Sequence, residues 1–369
     1  MIKKPIIILS VIATIVGGML LYFKCELANA NSESTLRMAE EAETPAGINV
    51  IINVNNQFTF DLYSELRKEK GNIFFSPYNI STCLAMTYEG ARGKTAEEMQ
   101  RVFHFPVANE ERRAAFVAIY NQINEPSAEY NLSMANALWA QNDYKFLEEY
   151  INTLQRYYAG DARNVDFKRA TEEARNIINT WVEDKTNDKI KNLFPPRSLD
   201  INTRLVLTNA IYFKGQWIRE FNKKQTGEED FNVCLGNTVK APMMRQWGEK
   251  FHYAETEDLQ ILEMRYKGDR LSMLILLPKN NDGLTSLESS LSLERLNEWK
   301  NKLKEQLVDV FMPKFTFDSK YFLKKTLEKL GMPMAFTKEA DFSGMDGSTK
   351  NLYIQAVITD RPSPGFSPG

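Results

Sequence analysis

Leu205-Val206-Leu207-Thr208-Asn209-Ala210-Ile211-Tyr212-Phe213 is apolar nearly throughout and contains no turn-forming residue. A strand with one face in solvent alternates apolar and polar side chains. A run without that alternation fits a strand covered on both faces. Working outward, Leu132, Met134, Asn136, Leu138 and Ala140 alternate with Ser133, Ala135, Ala137 and Trp139, a second strand. Leu259 to Met264 and Leu271 to Leu277 bracket Lys267-Gly268-Asp269, which predicts a hairpin. Val308 to Phe317 alternates around Pro313, and a proline there predicts a bulge or a sheet edge.

Helices lie between these strands. Val54, Phe58, Leu62 and Leu66 recur every fourth residue as one apolar face. Ser76-Pro77 starts a second helix, with Ser as N-cap and Pro in the first turn, and its stripe is Ile80, Cys83, Leu84 and Thr87. Thr95 and Glu98 have capping-box spacing for a third. Ala174, Ile177, Ile178, Trp181 and Val182 share one face of a fourth. Helices and strands interleave without regular alternation, so the class is α+β. No internal repeat and no long Gly, Ser or Pro stretch interrupts residues 48–358, which predicts a single domain.

The N-terminus has the pattern of an export signal: Lys3 and Lys4, an apolar run from Pro5 to Phe23, then Ala28-Asn29-Ala30. Residues 1–30 are expected to be a signal removed after Ala30, giving a secreted, extracellular protein. The alternative is an uncleaved membrane anchor with the globular part outside, since the run approaches the ~20 residues that span a bilayer. Residues 31–47, rich in Glu, read as a polar linker. Beyond the signal only Cys83 and Cys234 remain, too few for a disulfide framework, and Cys83 reads as a core residue. A net charge of -2 argues against nucleic acid as a partner. Arg112-Arg113, Glu97-Glu98 and Glu228-Glu229-Asp230 read as solvated surface.

Catalytic chemistry finds little support. His104 and His252 are the only histidines, and neither has a partner at metal-ligand or triad spacing. There is no G-x-S-x-G elbow and no H-E-x-x-H. Gly93-Lys94-Thr95 resembles the end of a phosphate loop, but Tyr88 stands where the leading Gly belongs, so the segment is a turn and cap. The sequons at Asn79 and Asn131 fall inside elements read as buried, which makes glycosylation there unexpected. No enzyme, metal or cofactor is called for.

Taken together, six segments resemble the serpin family. They are Asn72-Ile73-Phe74-Phe75-Ser76-Pro77-Tyr78-Asn79-Ile80-Ser81 and Gly90-Ala91-Arg92-Gly93-Lys94-Thr95-Ala96-Glu97-Glu98-Met99; Asn179-Thr180-Trp181-Val182-Glu183 with Leu193-Phe194-Pro195; Leu207 to Phe213 continuing through Lys214-Gly215-Gln216-Trp217; Met312-Pro313-Lys314-Phe315; and Ala340-Asp341-Phe342-Ser343-Gly344-Met345 with Leu352-Tyr353-Ile354. They occur in order between about Ile48 and Ile358. The resemblance implies a protease inhibitor that works as a trap. An exposed loop is cleaved by a serine or cysteine protease, and the cleaved loop then inserts as a new strand into the main sheet. It also implies that Ser76 and Asn209 form a hydrogen-bonding latch beneath that sheet. Asn79 stands where the family usually has a second Ser, and Trp217 is the aromatic near the top of the opening. Plain packing for Trp217 and helix capping for Ser76 are the simpler roles for those two residues.

The resemblance stops at Ile358. Thr359 stands where the family has a His, and Thr359-Asp360-Arg361-Pro362-Ser363-Pro364-Gly365-Phe366-Ser367-Pro368-Gly369 reads as an unrelated tail. Pro lacks the donor a ladder needs, so this tail is expected not to continue a sheet. The family's hinge, reactive loop and terminal strands have no counterpart in residues 359–369. The fold is therefore expected to be serpin-like but incomplete at its C-terminal strands, with inhibition lost. A frameshift and a degenerate gene are the favoured origins, and a non-inhibitory binding scaffold is the alternative. The expected partner is an extracellular protease for the intact parent, the expected state a monomer.

Overall fold

The computed structural model describes residues 45–361 apart from 70, 125–128, 187, 189, 235–236, 316–318 and 349–351. The expected N-terminal signal and residues 31–44 of the expected linker lie outside the described residues. Its helices are α1 (Pro45–Leu66), α2 (Pro77–Gly90), α3 (Gly93–Phe103), α4 (Asn109–Asn124), α5 (Glu148–Tyr158), α6 (Thr171–Lys185), α7 (Leu284–Ser290), α8 (Leu293–Asn301), α9 (Lys324–Leu330) and α10 (Ser343–Asp346). Its strands are β1 (Tyr130–Gln141), β2 (Asp161–Val165), β3 (Leu205–Gly215), β4 (Gly227–Cys234), β5 (Asn237–Glu255), β6 (Leu259–Arg265), β7 (Ser272–Pro278), β8 (Lys304–Pro313), β9 (Ser319–Phe322) and β10 (Ile354–Arg361). No helix among the described residues is long and apolar enough to cross a membrane.

Two sheets organise the chain. Sheet 1 has the order β2-β1-β3-β10-β9, and sheet 2 the order β4-β5-β6-β7 with β8 paired to β5. Where its side chains are described, at Leu205–Thr208, the expected run of β3 is covered on both faces. Behind it, Leu205 and Leu207 join a core with Phe58, Leu62, Ile80, Cys83, Leu84 and Met86. In front, Val206 joins Trp139, Ile178, Trp181, Val182 and Phe194. Side chains alternate across a strand, so one apolar run feeds two separate cores. Sheet 2 carries a third core around Trp217 and Tyr266, and a fourth around Leu296 and Trp299.

Many elements stand where the sequence puts them. β6 and β7 form the hairpin, turning at Gly268 with φ +87 and Asp269 with φ +56. Cys83 is 1% exposed, and Asn79 and Ser81 are equally buried. Other expectations need correction. α1 begins at Pro45, so the helix takes in the last residues of the expected linker. β8 begins at Lys304 and ends at Pro313. Among the described residues β8 pairs with β5 alone, the edge position that Pro313 suggests, and the bulge lies on β5 between Gln246 and Glu249, where Gly248 takes φ +63. Ile177 is 45% exposed, outside the α6 face that Ala174, Ile178 and Val182 bury.

The largest differences concern charge and the chain's end. Arg112 is fully buried, because Glu89 at the end of α2 needs donors. Glu89 accepts from Arg112 (2.8 Å), Arg113 (2.7 Å) and the Tyr158 hydroxyl (2.6 Å). Burial pushes its carboxyl up, but the Arg113, Tyr158 and Arg112 interactions outweigh that and hold it below the usual range. Glu98 is also buried, and the Thr95–Glu98 capping box does not form. α3 starts at Gly93 after Arg92. The Thr95 hydroxyl accepts from the Asp341 amide (2.9 Å) and Glu98 from the Met334 amide (2.8 Å), pinning the distant C-terminal segment. That segment leads into β10, which continues through Thr359, Asp360 and Arg361 before Pro362. The first three residues of the expected tail are thus ladder residues, since each still offers the amide that proline lacks.

Candidate functional site

The centre of sheet 1 contains a seam. β3 pairs with β1 antiparallel along its whole length, from Leu205↔Ala140 to Gly215↔Tyr130. On its other side β3 pairs with β10 parallel, from Leu205↔Ile354 to Ala210↔Asp360, with a register shift between Ile354 and Ala356. Among the described residues Ile211–Gly215 therefore pair on one side only. β10 in turn pairs with β9 antiparallel. Parallel ladders have slanted bonds and are slightly less stable per residue, so the seam is the weaker joint of the sheet's interior.

Beneath β1 and β3 runs α2, buried along nearly its entire length. The Ser-Pro start forms as expected, with Ser76 extended before Pro77. The Ser76 side chain makes no capping bond, however. Thr82 and Thr87 donate back to the carbonyls of Tyr78 and Cys83. The helix touches the sheet through Cys83, whose Sγ lies 3.7 Å from the Thr208 carbonyl. Burial pushes that thiol up to about 12, so it is an inert core group. Thr208 is the polar centre of the layer. Its hydroxyl accepts from Trp139 Nε1–H (3.0 Å) and donates to the Ala137 carbonyl (3.4 Å). No local pattern singles out this pair.

Of the residues implied by resemblance, Ser76 (4% exposed) and Asn79 (0% exposed) lie together in the first turn of α2. Asn209 follows Thr208 on β3, in register with Asn136 on β1 and Thr359 on β10. The Asn209 and Thr359 side chains lie outside the described residues. Trp217 is not part of this group. It sits past the end of β3, stacked on Tyr266 with ring centroids 4.2 Å apart and planes at 15°, inside the third core. It lies beyond Gly215, the last residue of β3 in register with β1. His104 meets Asp61 at 2.7 Å and His252 faces Glu263 at 3.8 Å, both on the surface. Among the described residues no group of three or more His, Cys, Asp or Glu is placed to hold a metal ion.

In front of the sheet lies α6. Its apolar face packs on Ala137, Trp139 and Val165, and Trp181 meets Trp139 edge-on at 5.5 Å. A model of the serpin (serine protease inhibitor) family matches residues 53–360. The chain belongs to the serpin family. It is 40% identical to human Serpin B3 over 331 residues, 84% of each chain. It is 43% identical to an uncharacterized serpin-like protein of Thermococcus kodakarensis, covering 84% of this chain and 71% of that one. The serpin fold is equally plain in solved structures. Uncleaved ovalbumin superposes with a TM-score of 0.78 at 31% identity, over 84% of this chain and 88% of that one. Maspin superposes with 0.80 at 30% identity, over 86% of each.

Proposed function

We propose that this serpin inhibits proteases by admitting an extended strand into sheet 1 between β3 and β10. The observation that carries the reading is the direction of those two strands. They run parallel, so a strand entering antiparallel to both replaces one parallel ladder with two antiparallel ones. The ladder to be replaced is short, and among the described residues Ile211–Gly215 offer a template above it. In an inhibitor the inserting strand is a cleaved loop, and the acylated protease is carried along with it.

The target is a serine protease, or a cysteine one, met outside the cell by a monomer. The apolar run from Pro5 to Phe23 and Ala28-Asn29-Ala30 support export. N-terminal sequencing of protein recovered from expressing cells checks this. A start at Asn31 supports secretion, whereas an intact Met1 supports the anchor.

Residues 1–369 hold neither a Glu- and Ala-rich hinge nor a scissile bond. A polypeptide of these residues is therefore expected to accept a strand supplied in trans and to trap no protease. Incubation with an N-acetylated peptide of alternating Thr and Ala tests the first half, with a raised unfolding temperature as the expected result. Cooperative unfolding with no uptake of peptide would replace this reading with that of a non-inserting binding scaffold. A denaturant-resistant complex with trypsin or chymotrypsin would overturn the second half.

A further inference from the structure

The segment that leaves α6 and returns to β3 is held by one stripe of that helix. Glu172, Arg175, Asn179, Glu183 and Thr186 recur every third or fourth residue and so share a face. Each grips the returning backbone. The Arg197 amide donates to Glu172 Oε1 (3.2 Å), and the Asn192 amide to Glu183 Oε1 (3.3 Å). The Ile190 amide donates to Thr186 Oγ1 (3.2 Å). At the centre Asn179 satisfies both backbone groups of Phe194, accepting from its amide (2.9 Å) and donating to its carbonyl (3.0 Å). Arg175 donates to the same carbonyl (2.9 Å).

What the stripe holds is strained, and the core it enters includes residues on both sides of the seam. Asp188, Asn192 and Arg197 all take left-handed backbone, with φ of +59, +53 and +65. Non-glycine residues in that region cost energy and persist only where the surroundings impose them. Ile190, Leu193, Phe194 and Leu199 share a core with Val206 of β3, and Ala356 of β10 packs against it. Val206 and Ala356 are paired directly across the seam. A strand entering there moves the two apart by about 4.8 Å, one strand spacing, so this core has to release one side. Phe194 is fully buried, and lifting it breaks bonds to its amide and carbonyl together.

We propose that Asn179, supported by Arg175, is a positioning residue that sets the rate at which sheet 1 opens. It clasps a strained segment whose core meets both strands of the seam, and release of Phe194 is the step that admits a strand. This rests on the strand-insertion reading and adds to it a named group that controls the step.

The experiment follows uptake of a fluorescein-labelled, N-acetylated twelve-residue peptide of alternating Thr and Ala by the full chain, well below its unfolding temperature. Asn179→Ala is expected to speed uptake about tenfold, the counterpart of about 1.4 kcal/mol, without changing the final amount bound. Asn179→Asp keeps the acceptor for the Phe194 amide and is expected to fall between. Arg197→Gly relieves one left-handed residue and is expected to slow uptake. Leu296→Ala, in the fourth core, is the control for general destabilisation. Asn179→Ala uptake no faster than that control overturns the proposal. Hydrogen exchange gives a readout independent of uptake. In Asn179→Ala the seam amides of residues 206–208 and 356–357 are expected to exchange faster while those of β2 do not. If the unaltered chain takes up no peptide, the insertion reading fails; unchanged seam exchange in Asn179→Ala then overturns the clasp as well.

Discussion

β3 in sheet 1 and β7 in sheet 2 are both apolar nearly from end to end, yet they live in different surroundings. Leu205, Val206 and Leu207 of β3 are fully buried between a helix layer and α6. In β7, Ser272-Met273-Leu274-Ile275-Leu276-Leu277-Pro278, only Leu277 is buried. Met273 and Ile275 lean on the third core, and Leu274 and Leu276 on the fourth. β7 is the last strand in its sheet's order, with β6 as its neighbour, whereas β3 has a strand on each side. An apolar run thus announces that a strand wants cover. Position in the sheet decides whether the described residues supply it.

The largest effect is expected in the layer under sheet 1. Arg112→Ala leaves Glu89 buried beside a single remaining guanidinium. A loss of about 3–5 kcal/mol is expected in denaturant unfolding, as for other buried pairs deprived of one partner. A double variant in which Glu89 and Arg112 are both replaced by apolar residues is expected to lose less than Arg112→Ala alone. The next test compares the strands themselves. Leu207→Ala in β3 is expected to cost about 3 kcal/mol and Leu276→Ala in β7 about 1 kcal/mol, because the half-buried side chain has less surface to lose. Equal losses would show that β7 is as well covered as β3, and the contrast drawn above would fall.

A smaller effect, tied to pH, follows from the same carboxylate. Glu89 is held below the range of an unfolded glutamate, near 4.3, so the unfolded chain binds its proton first as pH falls. Its contribution is fully present above that value and is lost as pH drops through the lower folded value. The unfolding temperature is therefore expected to be steady from neutral pH to about 5 and to fall below about 4. Glu89→Gln is expected to flatten part of that fall. An identical acid profile in the two proteins would mean that other groups govern it.

Much of sheet 1 was legible because its signals are local. The unbroken run of β3, the Ser-Pro start of α2 and the α6 stripe each report their own burial within a few residues. What was not legible depends on partners far along the chain. Thr95 and Glu98 have the spacing of a capping box, yet their bonds go to Asp341 and Met334, and no local pattern announces that. Arg112-Arg113 looks like solvated surface until Glu89 and Tyr158 are folded against it. Thr208 looks like an interruption in β3, and only the fold reveals Trp139 as its donor. The Pro- and Gly-rich composition after Ile358 masked three residues that are competent for pairing. Composition averages over a window, whereas a ladder is made one amide at a time.

The mildest expected effect separates two hydroxyls, one on β3 and one at the foot of α2, that the sequence cannot rank. Thr208→Val removes the acceptor for the Trp139 indole and leaves its N–H buried without that bond, so about 1–2 kcal/mol is expected to be lost. Ser76→Ala removes a hydroxyl that makes no capping bond, so the loss is expected to stay under about 0.5 kcal/mol, below the ~1 kcal/mol typical of a working N-cap. Denaturant midpoints at constant slope measure both. A Ser76→Ala loss as large as that of Thr208→Val would give Ser76 a bonded role at the foot of α2 and return it to the latch that the family resemblance implied. The reverse order would leave Thr208 as the hydroxyl that holds the layer together, with Ser76 serving mainly to bring the chain into the helix.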